Sequence, residues 1–235
     1  MTCGNCDCPF HELQAENSPF TDADFRCMIT DAVKQVRFGA GELLFAQGEP
    51  SSSLYSLSQG LVKISCNTPD GREQIVGIAS PGKLLVGLQS ISDEFHPYSA
   101  IAETAVVACK IRHRPLLHAV KNRGDVAMRL ISAINAQLGY SRDLMRVMGR
   151  KCAAGKIASL ISLIIPKSEH GNRRFTLPFS RGEIASLLGL SEETVCRQMA
   201  SMKRRGIIYA PRGKIEILDW DKLQAVADET CTEAA

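Results

Sequence analysis

Ser180-Arg-Gly-Glu-Ile-Ala-Ser-Leu-Leu-Gly-Leu-Ser-Glu-Glu-Thr-Val-Cys-Arg197 is the stretch that decides the fold. Ser180 and Glu183 have the S-x-x-E spacing of a capping box, so a helix should start near Arg181. Ile184, Leu187 and Leu188 give it one apolar face, and Ala185 is small where a second helix must cross closely. Gly189 stands where the chain must turn through a backbone conformation that most residues resist. Ser191 then caps a second helix, whose Val195 and Met199 face inward. Glu192, Glu193, Cys196 and Arg197 are left on the outer face near the helix N-terminus. A helix-turn-helix presents side chains to the DNA major groove in this way. An ordinary helical hairpin would not need the cap, the small residue, the glycine and the polar outer face together.

The rest of the chain sets the frame for this motif. Its 235 residues can hold one large domain or two modest ones, and a hydrophobic content of 45% allows a normal core. The net charge of +3 is mild, but Lys203, Arg204, Arg205, Arg212 and Lys214 lie within twelve positions. A clustered basic face matters more for nucleic acid than the total charge. No apolar run reaches the ~18 residues of a membrane span. Met1-Thr-Cys-Gly-Asn-Cys6 opens the chain without an apolar signal core, so a cytoplasmic protein with no membrane partner is expected. Nine cysteines in such a chain suggest metal or redox chemistry more than a disulfide framework. No Gly-rich phosphate loop, Ser–His–Asp ordering or paired metal carboxylates are visible, so no enzyme is expected.

Along the chain, residues 1–20 form a cysteine-bearing leader and residues 21–36 read as weakly helical. From Val36 to Ile111, short runs with β-propensity alternate with glycine turns, which implies a β-sandwich or barrel. From Asp125 to Met148 the period becomes helical and shows two apolar stripes. One is Ile131, Ile134, Leu138, Met145 and Met148; the other is Ala133, Ala136, Tyr140 and Val147. Two apolar faces need two partners, one the protein's own β domain and the other the same helix of a second subunit. Lys156–Ile165 is a further helix ended by Pro166, and residues 166–178 read as a loop and a short strand. After the helix-turn-helix, Gly206 ends the second helix and a β-hairpin around Pro211-Arg-Gly213 forms a wing. The expected fold class is α+β. The expected divisions are the leader (1–20), a β-roll (21–122), a dimerisation helix (123–150) and a winged helix-turn-helix domain (151–235).

This order, with Gly41-Glu-Leu-Leu-Phe-Ala-Gln-Gly48, Gly60-Leu-Val-Lys63, Asp70-Gly-Arg-Glu-Gln-Ile75, Leu85-Val-Gly87, Ala102-Glu-Thr104 and Glu193-Thr-Val-Cys-Arg197, resembles the Crp–Fnr family of bacterial transcription regulators over residues 18–222. The resemblance implies a homodimer on a double-stranded DNA inverted repeat, with RNA polymerase as a further partner. It implies that Glu193 and Arg197 read a T-G-A in each half-site, while Glu192 and Cys196 depart from the familiar patterns and leave the outer bases open. Ser180, Arg181, Lys203, Arg205 and Arg212 are candidates for phosphate contacts, which position without reading sequence. The cyclic-nucleotide branch grips phosphate with an arginine before Ser-Ala. Here Pro97-Tyr-Ser-Ala100 lacks it, so no cyclic nucleotide is expected. A haem-type Cys-x-His pair is also missing.

The Fnr branch holds an iron–sulfur cluster, commonly 4Fe–4S, on three N-terminal cysteines and one in the roll. Cys109 falls near the roll position after Glu103-Thr104, and Cys3 and Cys6 supply a C-x2-C pair. Cys8, before Pro9-Phe10, and Cys27 are candidates for the remaining ligand. An oxygen- or nitric-oxide-labile cluster, a thiol redox switch, zinc or no metal at all are the open readings of this N-terminus, and a small effector in the roll is a further one. Cys66, Cys152 and Cys231 read as structural. The resemblance also implies a dimer switch on the long helix. Asp143, in line with Tyr140 and Val147, would oppose its twin across a partly buried seam, where two carboxylates repel.

Overall fold

The computed structural model describes residues 32–69, 71, 73–81, 85–88, 94–165, 174–175, 179–211 and 215–228. Eight strands come first: β1 (Val33–Phe38), β2 (Leu43–Phe45), β3 (Ser53–Gln59), β4 (Val62–Asn67), β5 (Glu73–Ala79), β6 (Leu85–Val86), β7 (Ser99–Ala102) and β8 (Val106–Arg112). They form two four-stranded sheets, in the orders β1-β8-β3-β6 and β2-β7-β4-β5, so the expected β-roll is present. Its interior holds Leu44, Phe45, Tyr55, Leu57, Val62, Ile64, Ala100, Ala102, Val106 and Ala108. Alternation along β8 sends Cys109 and Ile111 to the opposite side, into a second cluster with Ala32, Val33, Leu54, Leu116 and Val126.

The motif pieces meet at one corner of the roll. Gly60 has φ +87°, and a side chain there would collide with the Ala105 carbonyl and lie 2.9 Å from Val106 Cα. Only glycine fits where the β3–β4 turn passes this closely. The Leu61 N–H donates to Thr104 Oγ1 at 2.9 Å. Lys63 is buried between Glu73 (3.4 Å) and Glu103 (3.6 Å), so its charge is paired where water is scarce.

The helices follow: α1 (His113–Asn122), α2 (Gly124–Met148), α3 (Ala153–Ile164), α4 (Arg181–Leu188), α5 (Glu192–Arg204) and α6 (Trp220–Asp228). Three short strands, β9 (Arg174–Phe175), β10 (Ile208–Tyr209) and β11 (Ile215–Ile217), make a small sheet with β11 in the centre. Two compact units result. One comprises residues up to Tyr140 other than 74–76; the other comprises Ser141–Ala235 with Gln74–Val76. In the second unit Ile157, Leu160, Ile161 and Ile164 of α3, Val195 and Met199 of α5, and Leu223 and Val226 of α6 are at most 2% exposed. Each such aliphatic side chain contributes about 1.5–3 kcal/mol of burial.

The expected helix over 21–36 is corrected at its end. Val33–Val36 run as β1, because pairing with β8 (Val36 with Ala108, Phe38 with Val106) overrides weak local preference. The leader and residues 21–31 lie outside the described residues. β7, whose Ser-Ala-Ile-Ala carries little β-propensity, also escaped the sequence reading. It is held between β2 and β4, with Ala100 and Ala102 fully buried. Among the described residues, no helix is long and apolar enough to cross a membrane.

Candidate DNA interface

The helix-turn-helix forms from the local signals that announced it. The Ser180 hydroxyl accepts from the Glu183 N–H (3.1 Å), and the Glu183 carboxylate accepts from the Ser180 N–H (2.8 Å). α4 ends at Gly189 in the left-handed conformation, φ +63°. Ser191 caps α5 by accepting from the Thr194 N–H at 3.2 Å. Val195, Met199 and Met202 then turn inward, each at most 2% exposed.

The opposite face of α5 carries the candidate reading groups. Glu193 and Arg197 lie four apart as an ion pair, 3.7 Å between Oε1 and Nη1, with side chains 87% and 62% exposed. An exposed pair of this kind holds together by well under about 1 kcal/mol. Both groups are therefore oriented yet readily released to base edges. An arginine fork matches guanine O6 and N7, and a carboxylate accepts from a cytosine amino group. Cys196 is exposed beside them. Glu192 is exposed too, but its carboxylate leans toward α4, where a Cβ on Gly182 would lie 3.4 Å from Oε2.

The phosphate candidates divide. Ser180 is exposed, and its cap uses the oxygen as acceptor, which leaves the hydroxyl proton for a phosphate. Arg181 is half-buried, and one guanidinium nitrogen sits 2.7 Å from Met199 Sδ, so part of its fork packs against α5 rather than facing outward. Lys203 and Arg205 are exposed at the C-terminal end of α5, where cations suit the helix dipole. The Lys203 ammonium lies 5.6 Å over the Tyr209 ring, a contact that sequence reasoning missed because the two residues are on different elements. Arg212 lies outside the described residues.

The long helix places the expected switch residues in different surroundings. Tyr140 is 8% exposed, and its hydroxyl donates to the Ile78 carbonyl at 2.8 Å within its own chain. Val147 is buried as well. Both side chains are thus covered by the chain itself. Asp143 is exposed and pairs with Arg146 at 3.6 Å. At about 100° per residue it sits roughly 140° around the helix from Leu138. The stripe left uncovered is the other one. Ile131, Ile134, Leu138, Met145 and Met148 are 45–66% exposed. Exposed apolar side chains repeated along one helix face make that face a candidate for an interaction.

Of the candidate metal ligands, only Cys109 is described; Cys3, Cys6, Cys8 and Cys27 lie outside. Cys109 is 2% exposed and shares its apolar cluster with Ala32 and Val33, where the chain enters from the leader. Among the described residues no three His, Cys, Asp or Glu groups gather as a metal site. At the position where the cyclic-nucleotide pattern has arginine, Tyr98 is buried and its oxygen accepts from the Gly87 N–H at 3.3 Å. Burial pushes its phenol up to about 12, so it stays neutral.

Comparison with known proteins agrees with this geometry. A cyclic nucleotide-binding domain model matches residues 35–123, and a Crp-like helix-turn-helix domain model matches residues 155–226. The chain is 31% identical over 197 residues to the transcriptional activatory protein AadR of Rhodopseudomonas palustris, covering 83% of this chain and 81% of that protein. It is 33% identical over 199 residues to the nitrogen fixation regulation protein FixK of Bradyrhizobium diazoefficiens, covering 83% and 82%. The solved structure of FixK2 from Bradyrhizobium japonicum matches in fold with a TM-score of 0.71 at 24% identity, over 84% of this chain and 98% of that one.

Proposed function

The chain belongs to the Crp–Fnr family of DNA-binding transcription regulators, and from that premise we propose that it acts as a homodimer on an inverted repeat with TGA-containing half-sites, under the control of an N-terminal iron–sulfur cluster. The matched relatives are regulators, not enzymes. The observation that carries the DNA reading is the exposed Glu193–Arg197 pair on the solvent face of α5. Arg197→Ala should cost about 1–3 kcal/mol on the specific site and relax base preference. Titration of both proteins onto specific and scrambled duplexes checks it. An unchanged ratio of the two affinities would remove Arg197 from the reading role.

Dimerisation through α2 is supported by the uncovered stripe from Ile131 to Met148. A twin helix laid on it would bury these side chains in the manner of a coiled coil. RNA polymerase is the partner expected of an activator in this family, and the cytoplasm its compartment. The neutral, buried Tyr98 argues against a cyclic nucleotide, because it stands where the cyclic-nucleotide pattern has its arginine and brings no positive charge to a phosphate.

Support for the cluster comes from the position of Cys109. Its thiol is buried on the side of β8 where Ala32 and Val33 pack. Cys27 is five residues from Ala32, a contour of at most ~18 Å. Cys109 with three of Cys3, Cys6, Cys8 and Cys27 would hold the group, and thiolates suit iron–sulfur clusters. When bound, such a cluster would supply lability to oxygen or nitric oxide. Protein purified without oxygen should contain about four irons with matching acid-labile sulfide, and Cys109→Ala should lower both. Iron-free protein that folds and binds its site would instead favour a thiol redox switch or a small effector in the roll.

A further inference from the structure

Two carboxylates stand side by side at the start of α5, and they differ in how they are held. Glu193 is paired with Arg197 at 3.7 Å. Glu192, the first residue of the helix, is exposed and makes no hydrogen bond or ion pair with any described residue. At about 100° per residue it occupies a different sector of the helix from Glu193, so it addresses a different base edge. Its carboxylate rests beside Gly182 in the first turn of α4, where the missing side chain leaves it room: a Cβ there would lie 3.4 Å from Oε2. The first turn of a helix suits a carboxylate, but at an exposed position it holds one only weakly. Glu192 is thus parked rather than fixed.

An unpaired acid on a DNA-facing helix carries a cost. The phosphates of the duplex repel it, and an ionised carboxylate can only accept hydrogen bonds. The cost is recovered where the groove offers a donor. Guanine presents O6 and N7 in the major groove and thymine presents O4, all acceptors. Adenine presents its amino group beside the N7 acceptor, which the carboxylate meets as well. Cytosine presents an amino group with no acceptor of its own beside it. An acid in this position therefore selects by exclusion as much as by attraction.

We propose that Glu192 is a specificity-determining residue, which selects cytosine at the outer base pair, 5′ to the TGA of each half-site, by accepting from the cytosine amino group. The inference rests on the TGA reading by Glu193 and Arg197, and it assigns a base that those two residues leave open. It makes the half-site one base pair longer on the side of α5 that faces α4.

The test uses full-length, oxygen-free protein and four palindromic duplexes that differ only in the pair 5′ to the TGA, with a scrambled duplex as the fifth. Wild type should favour one orientation of a C·G pair over the other three pairs by about tenfold. Glu192→Ala should level the four while still preferring TGA to the scrambled duplex, and should bind the scrambled duplex several-fold more tightly, because an acid no longer opposes the phosphates. Glu192→Gln keeps the size but can donate as well as accept, so its preference should move to an A·T pair. A merely structural Glu192 would leave the ranking of the four pairs unchanged in both variants. That result would overturn the proposal while TGA reading stands, as would equal affinity of wild type for all four. Wild type that did not distinguish TGA from the scrambled duplex would overturn the TGA reading, and this inference with it.

Discussion

Arg197 and Glu193 show how one residue's environment shapes its role. Each is exposed, and each is steered by the other at 3.7 Å, so the pair is aligned without being locked. The buried histidines are the opposite case. Burial lowers the pKa of His113, and the neighbouring His96 lowers it further. Burial also lowers that of His96, against a smaller opposing pull from Glu49, while its ring stacks on Phe45 at 3.7 Å. Both are therefore neutral in the folded roll at neutral pH. The unfolded chain takes up protons at about pH 6.5, before the folded one does. Stability is thus fully present above that pH and is lost as the pH falls below it. Denaturant melts of the roll between pH 7.5 and 5 should show a falling midpoint, and His113→Gln should flatten the fall. A midpoint independent of pH would show that neither imidazole is held neutral by the fold.

At the scale of elements, α4 and α5 were legible residue by residue, because caps, glycine and apolar spacing are local signals. The long helix was legible only in part. Periodicity revealed two apolar stripes on α2 but carries no information on which of them the protein covers for itself. Tyr140 decided it through a bond to Ile78, sixty-two residues away in sequence, that no local pattern encodes. β1 and β7 were hidden for a related reason, since their partners in β8, β2 and β4 define them more than their own residues do. The uncovered stripe makes a sharp prediction. Leu138→Glu, on the uncovered stripe, should abolish the dimer in sedimentation equilibrium, whereas Asp143→Ala should leave the oligomeric state as it is in wild type. A dimer unaffected by Leu138→Glu would move the subunit contact off this face.

For the whole molecule, the order of roll, long helix and helix-turn-helix could be read from composition shifts and motif order, whereas the division into two compact units falls within the long helix, between Tyr140 and Ser141, where no change of composition marks it. The corner that joins Gly60, Lys63, Glu103 and Thr104 shows how motifs far apart in the sequence restrain one another in the fold: the Leu61 N–H donates to Thr104, and Lys63 pairs with Glu103. The proposed cluster was legible only as a set of thiols, because sequence spacing does not fix which cysteines converge in space. A dimer of this design carries two reading helices, which should address half-sites about 34 Å apart, one turn of DNA. The most direct test of the account is to titrate oxygen-free, full-length protein onto a palindromic duplex with TGA half-sites centred about 10 base pairs apart, and onto its scrambled counterpart at the same salt. The account predicts two chains per duplex and a preference of roughly a thousandfold or more for the palindrome. Equal affinity for the two duplexes would contradict it.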